Sequence, residues 1–198
     1  MQDISKERLG AVSDGVFAIA ATILVLELKL PEGRGLSHED ILSWLHVFVG
    51  WLVSFAMIAM LWFEQHFQLR RAEKLSQRLA GLVFLQLALI SLIPFASGLV
   101  AVDPDDLLSS VIFNLVMVAN GLCSAKISQM LARTPAHLSN PDDSHALTFR
   151  ARTQIGSYLV VAVIGLLGAA TQHPFIGVLL WLIIPLYVGR RFNATPAR

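Results

Sequence analysis

Residues 9 to 30 read Leu-Gly-Ala-Val-Ser-Asp-Gly-Val-Phe-Ala-Ile-Ala-Ala-Thr-Ile-Leu-Val-Leu-Glu-Leu-Lys-Leu. The run holds one ionisable residue, Asp14, before Glu27 and Lys29 near its end. A helix rises 1.5 Å per residue, so these 22 residues reach about 33 Å, enough to cross a hydrocarbon core of about 30 Å. Asp14 interrupts the start of the run, and no small-residue cleavage site follows Leu30, so a cleaved signal peptide is not expected.

Outward from this run the pattern repeats. Residues 41–63, 79–100, 107–125, 153–171 and 174–189 are also apolar, and the six runs hold 121 of 198 residues. The last is the shortest and needs an extra turn or a thinner bilayer to span. The longest stretch outside them, 126–152, has 27 residues, too few for a separate soluble domain. The expectation is an all-α, polytopic membrane protein with six transmembrane helices, forming a single domain over residues 1–198. Pro31, Gly33 and Gly35 close the first run, Asp103 is expected to cap the fourth, and Thr134-Pro135 and Asn140-Pro141 read as turns.

Charge then orients the spans. Charged residues are 15% of the chain against about 25% in soluble domains. With six spans, thirteen of the fifteen Lys and Arg fall on one side, and only Lys29 and Arg34 on the other. Basic loops face the cytoplasm, so both termini are expected there. Glu27, Glu32, Glu39, Asp40, Asp103, Asp105 and Asp106 face outward. A net charge of +1 gives no basic surface for nucleic acid, and the single Cys123 makes no intramolecular disulfide. No nucleophile, metal-ligand or phosphate-loop motif occurs, so no enzyme, cofactor or metal site is expected.

Ionisable residues inside spans are costly and mark function by default. Arg8 and Asp14 lie six residues apart, about 120° around a helix, so each is expected to find partners on neighbouring helices. Glu64 and His66, after the second run, are placed to join them, beside Trp62. Gln86, Asn114 and Asn120 are expected to hydrogen-bond between helices.

The first helix carries a second pattern. Arg8, Val12, Gly15, Ile19, Thr22 and Leu26 recur at spacings of 4, 3, 4, 3 and 4, a narrow seam. Around the axis of a symmetric oligomer, this seam would present rings of Ile19, Thr22 and Leu26 with Ile23 at the flank, and apolar rings gate pores by dewetting. Equally, most stripes on membrane helices are apolar, and the Thr22 hydroxyl can bond back to the Ala18 carbonyl. Periodicity leaves both readings open.

The stretch Arg8-Leu9-Gly10-Ala11-Val12-Ser13-Asp14-Gly15 resembles the opening signature R-x-x-x-F-S-D of the transmembrane protein 175 family, with Val12 in place of the phenylalanine. Residues 22–31 are similar to that family's first helix. Trp62 and His66 resemble the end of its second, although its double histidine is Gln65-His66 here, and Pro94-Phe95 resembles its third. The family contains endosomal and lysosomal potassium channels and a shorter bacterial branch with six helices per chain. The resemblance implies a homotetramer in the lipid bilayer of a bacterial inner membrane, conducting monovalent cations without a TVGYG filter. Carried over, Ile19 forms the pore constriction, Ile23 and Leu26 add apolar rings, and Thr22 takes part in selecting the permeant potassium ion. Arg8, Ser13, Asp14, Trp62 and His66 form the polar network that holds the first helix. The function implied is a potassium-selective, leak-type channel. The alternatives are a proton-permeable channel or secondary transporter using Asp14 and His66, or a non-conducting membrane scaffold.

Overall fold

A computed structural model describes residues 5–28, 38–102 and 106–170. The expected sixth span, 174–189, and Asp103 lie outside the described residues. Helices run over Lys6–Ile23 (α1), His38–Arg71 (α2), Gln77–Ser91 (α3), Ile93–Val102 (α4), Leu107–Ala132 (α5) and Asp143–Ala170 (α6). Among the described residues there is no strand, only one isolated bridge between Ala72 and Leu138. Among the described residues, five segments are long and apolar enough to cross a membrane: Lys6–Glu27, Val47–Arg71, Gln77–Val102, Leu107–Ala132 and Asp143–Gly168. The protein is an all-helical, multi-pass membrane protein.

Local chemistry sets the helix ends. Ser5 caps α1 by accepting from the Arg8 amide, and Ser76 caps α3 by accepting from Leu79. Asp106, immediately before α5, accepts from the amides of Leu108 (3.3 Å) and Ser109 (2.8 Å) and from the Ser109 hydroxyl (2.6 Å). These bonds stabilise the carboxylate, the Ser109 hydroxyl most of all, and hold its pKa below the usual value. The α1 helix passes into a 3-10 turn over Leu24–Glu27. The third span is broken at Leu92 between α3 and α4. Pro94 has no N–H to give the Ile90 carbonyl, and the Leu92 amide turns to Leu89 at 3.2 Å instead.

Helices in a bilayer gain little from leaving lipid, so close packing and buried polar bonds must hold them. The α5 and α6 pair shows this. At Gly121, a Cβ would fall inside contact distance of the buried Tyr158 ring. At Gly165, a Cβ would lie 2.5 Å from Asn114 Oδ1. Two glycines, one on each helix, therefore seat bulkier groups of the other. Gly121→Ala is expected to force Tyr158 out of place and cost about 1–3 kcal/mol, read as a lowered melting temperature in detergent.

Three helices overrun the spans expected from hydropathy. The α2 helix continues from Phe63 to Arg71, α5 continues from Ala125 to Ala132, and α6 starts at Asp143 rather than near Thr153. Glu64 and Arg150 therefore lie inside helices, and both are buried. Arg150 Nε donates to Glu64 Oε1 at 2.8 Å, and its Nη2 donates to Oε2. Gln68 Nε2 lies 3.2 Å from Glu64 Oε1 and 2.9 Å from the hydroxyls of Ser124 and Ser128. Polar residues that would end a span facing lipid continue it here because they meet each other inside the bundle. The N-terminus of α1, the C-terminus of α2 and the N-terminus of α6 share one end, which carries Lys6, Arg70, Arg71 and Lys74; we term it the basic end.

Candidate functional site

Two opposite stripes divide α1. Leu9, Ser13, Phe17, Ala20 and Leu24 are buried against the rest of the chain, with Phe17 3% and Leu24 0% exposed. Their spacing of 4, 4, 3 and 4 is that of a helix lying along its neighbours. Arg8, Val12, Gly15, Ile19, Thr22 and Leu26 all lie on the exposed side, with Ile19 59% and Leu26 68% exposed. Ile23 is exposed beside them. The seam read from spacing is thus continuous in space and is left open by the single chain.

Within that seam Thr22 is the one hydroxyl. Its Oγ1 lies 3.0 Å from the carbonyls of both Ala18 and Ile19. A hydroxyl has one proton and two lone pairs, so the helix takes the proton and the oxygen keeps its capacity to accept. The side chain is consequently held in one orientation on the exposed face, with an oxygen still able to accept.

The five residues of the expected polar network do not form one cluster. Trp62 Nε1 donates to Asp14 Oδ1 at 2.7 Å, joining α1 to α2. His66 stacks one turn along on Trp62, with ring centroids 5.2 Å apart and planes at 23°. Those three come together. Ser13 turns inward and donates to the Leu9 carbonyl of its own helix at 2.9 Å. Arg8 stands on the exposed face, and among the described residues its guanidinium forms no ion pair.

Glu64, expected near Asp14, faces the bundle interior and pairs with Arg150. Asn120, expected to bridge helices, donates to Val116 on α5 itself at 3.0 Å; Asn114 donates to Ser110 of α5 at 2.9 Å, and its amide lies beside Gly165 of α6. Gln86 does bridge: its Oε1 accepts from Gln65 of α2 at 3.4 Å. Hydropathy gave Arg150 to a loop, so its role in the interior was missed. The signal available was Glu64 itself, a charge continuing an apolar helical pattern that needs a cation from elsewhere in the chain.

Residues 8–94 match the family model described as the endosomal/lysosomal potassium channel TMEM175. A potassium channel of Streptomyces collinus is 31% identical over 168 residues, which is 80% of this chain and 81% of that one. The chain belongs to the TMEM175 family. The crystal structure of a lysosomal potassium-selective TMEM175 homologue from Chamaesiphon minutus superposes with a TM-score of 0.76 at 25% identity, covering 96% of this chain and 98% of that one. The mouse endosomal/lysosomal proton channel TMEM175 is 32% identical over 103 residues, 47% of this chain and 21% of its own length. The TMEM175 model covers α1, α2, α3 and the first residues of α4, so it includes both the open seam and the Asp14–Trp62–His66 contact.

Proposed function

We propose that this chain is a potassium-selective, leak-type cation channel, built as a homotetramer with α1 of each subunit at the central axis. It would have six spans with both termini in the cytoplasm of a bacterial cell, in the inner membrane. The open seam of α1 carries this reading. A helix packed by one stripe and bare along the opposite one meets either lipid or copies of itself, and this reading takes copies around an axis. The names of the bacterial relatives supply the ion.

On this reading Ile19 narrows the path and Ile23 and Leu26 add apolar rings. Aliphatic groups cannot replace a hydration shell, so selection falls to oxygen ligands, of which Thr22 is the one side chain on the seam. Thr22→Ala is expected to lower the preference for potassium over sodium roughly fivefold, about 1 kcal/mol, read as a shifted reversal potential under bi-ionic gradients. Acidic residues toward the outer side, among them Glu27 and Asp106, would enrich cations at the mouth, an effect that fades with salt. The direct test is flux from vesicles holding the purified chain, under potassium and then sodium gradients. Flux in neither would overturn the channel.

One finding favours a second reading. The mouse relative is named a proton channel, and the region it shares with this chain is about half of it. Asp14 would then be a proton carrier on α1, and a pH-gradient flux that Asp14→Asn removes would favour protons over potassium.

A further inference from the structure

The N-terminal residue of α1 is tied to a place outside the seam and outside the Asp14 contact. Lys6 Nζ donates to the carbonyl oxygens of Ala72 (2.7 Å) and Arg70 (3.2 Å). These lie at the C-terminal end of α2, where carbonyls lack helical partners and the helix dipole is negative. An ammonium there meets both needs at once.

That same end of α2 is held from the other side by the segment between α5 and α6. The Glu73 amide donates to the His137 carbonyl at 2.8 Å, and the Ser139 amide donates to the Arg71 carbonyl at 2.9 Å. Ala72, which receives Lys6, is also the residue bridged to Leu138. Arg71 Nε lies 3.2 Å from Asp143 Oδ2 at the start of α6. The guanidinium of Arg71 sits 3.4 Å over the Phe67 ring, and that of Arg150 sits 4.0 Å from the same ring centroid.

We propose that Lys6 is a positioning residue for α1, and that through it the basic end of α2, clamped by Asp143 and the α5–α6 segment, sets the balance between open and closed arrangements of the seam. The inference rests on the reading of α1 as the pore helix. Lys6 lies at the far end of α1 from Ile19, Thr22 and Leu26, so it acts on how often the path opens and not on what passes through it. The contact is a charge-assisted bond to carbonyls, so another cation of similar reach serves and a neutral isostere does not.

The test uses three variants of the whole chain in planar bilayers. Lys6→Met is expected to change open probability about fivefold or more. Single-channel conductance and the potassium-to-sodium reversal potential stay as in the parent. Lys6→Arg is expected to stay within about twofold of the parent, because the cation is retained. Asp143→Asn is expected to move open probability in the same direction as Lys6→Met. Amide exchange in the first turn of α1, followed in lipid nanodiscs, is expected to speed up in Lys6→Met and Asp143→Asn, because the turn loses its anchor. That measurement needs no conduction. If the parent passes no ion, the channel reading falls while exchange still judges the anchor. Parental exchange rates in both variants, or Lys6→Arg behaving like Lys6→Met, would overturn the proposal.

Discussion

Ile19→Asn is expected to raise the single-channel potassium conductance about tenfold, equivalent to lowering the barrier by about 1.4 kcal/mol. Ile19 is more than half exposed in the isolated chain and lies on the open seam of α1, so in a tetramer four copies would face one another across the axis. Water leaves an aliphatic ring readily, and an ion must then pass with part of its shell missing. Four carboxamides keep the ring wet and offer oxygen to the cation, at nearly unchanged side-chain length. The buried stripe is untouched, because Ile19 points away from Leu9, Phe17 and Leu24, so folding and assembly should survive. Currents in planar bilayers equal to the parent's would show that the constriction lies elsewhere.

The largest effect on stability is expected from Glu64→Ala, at about 3–5 kcal/mol. Glu64 is 7% and Arg150 9% exposed, and each presents two polar atoms to the other. Removing the carboxylate takes from the buried Arg150 guanidinium the anion that meets its Nε and Nη2, and takes from the Gln68 amide one acceptor while its serine contacts remain. Attraction between the pair is offset by the cost of drying both charges, so removing both is far milder than removing one. Glu64→Met combined with Arg150→Met should therefore recover most of the loss. Melting temperatures of the purified chain in one detergent decide the matter, and a single variant as stable as the double would exclude a buried ionic contact.

The sequence made the five described spans legible because twenty apolar residues in a row permit little else. It also exposed the seam on α1, since the spacing of Val12, Gly15, Ile19, Thr22 and Leu26 is a property of the helix alone. It misplaced the ends of α2 and α6 for one physical reason. A charge ends a hydropathy run whether or not another charge neutralises it, and Glu64 meets a partner 86 residues away. Asn120 misled in the opposite sense, reaching the Val116 carbonyl one turn back on α5, a choice set by the local helix. Asp14 and Trp62 were legible separately, but their bond depends on how α1 crosses α2. Asp103 was expected to cap the fourth span, and Asp106, adjacent to Leu107, caps α5.

The pairing of Glu64 with Arg150 also has a meaning for a cation that is only passing. An unpaired charge in each subunit would project a long-range field across the low-dielectric bundle, and four of them would add at the axis. Opposite charges in contact cancel at a distance and leave a dipole whose potential decays faster than that of either charge alone. On the tetrameric reading, the protein can keep its strongest polar fastening inside each subunit while leaving the electrostatic profile of the axis to the seam and the mouth.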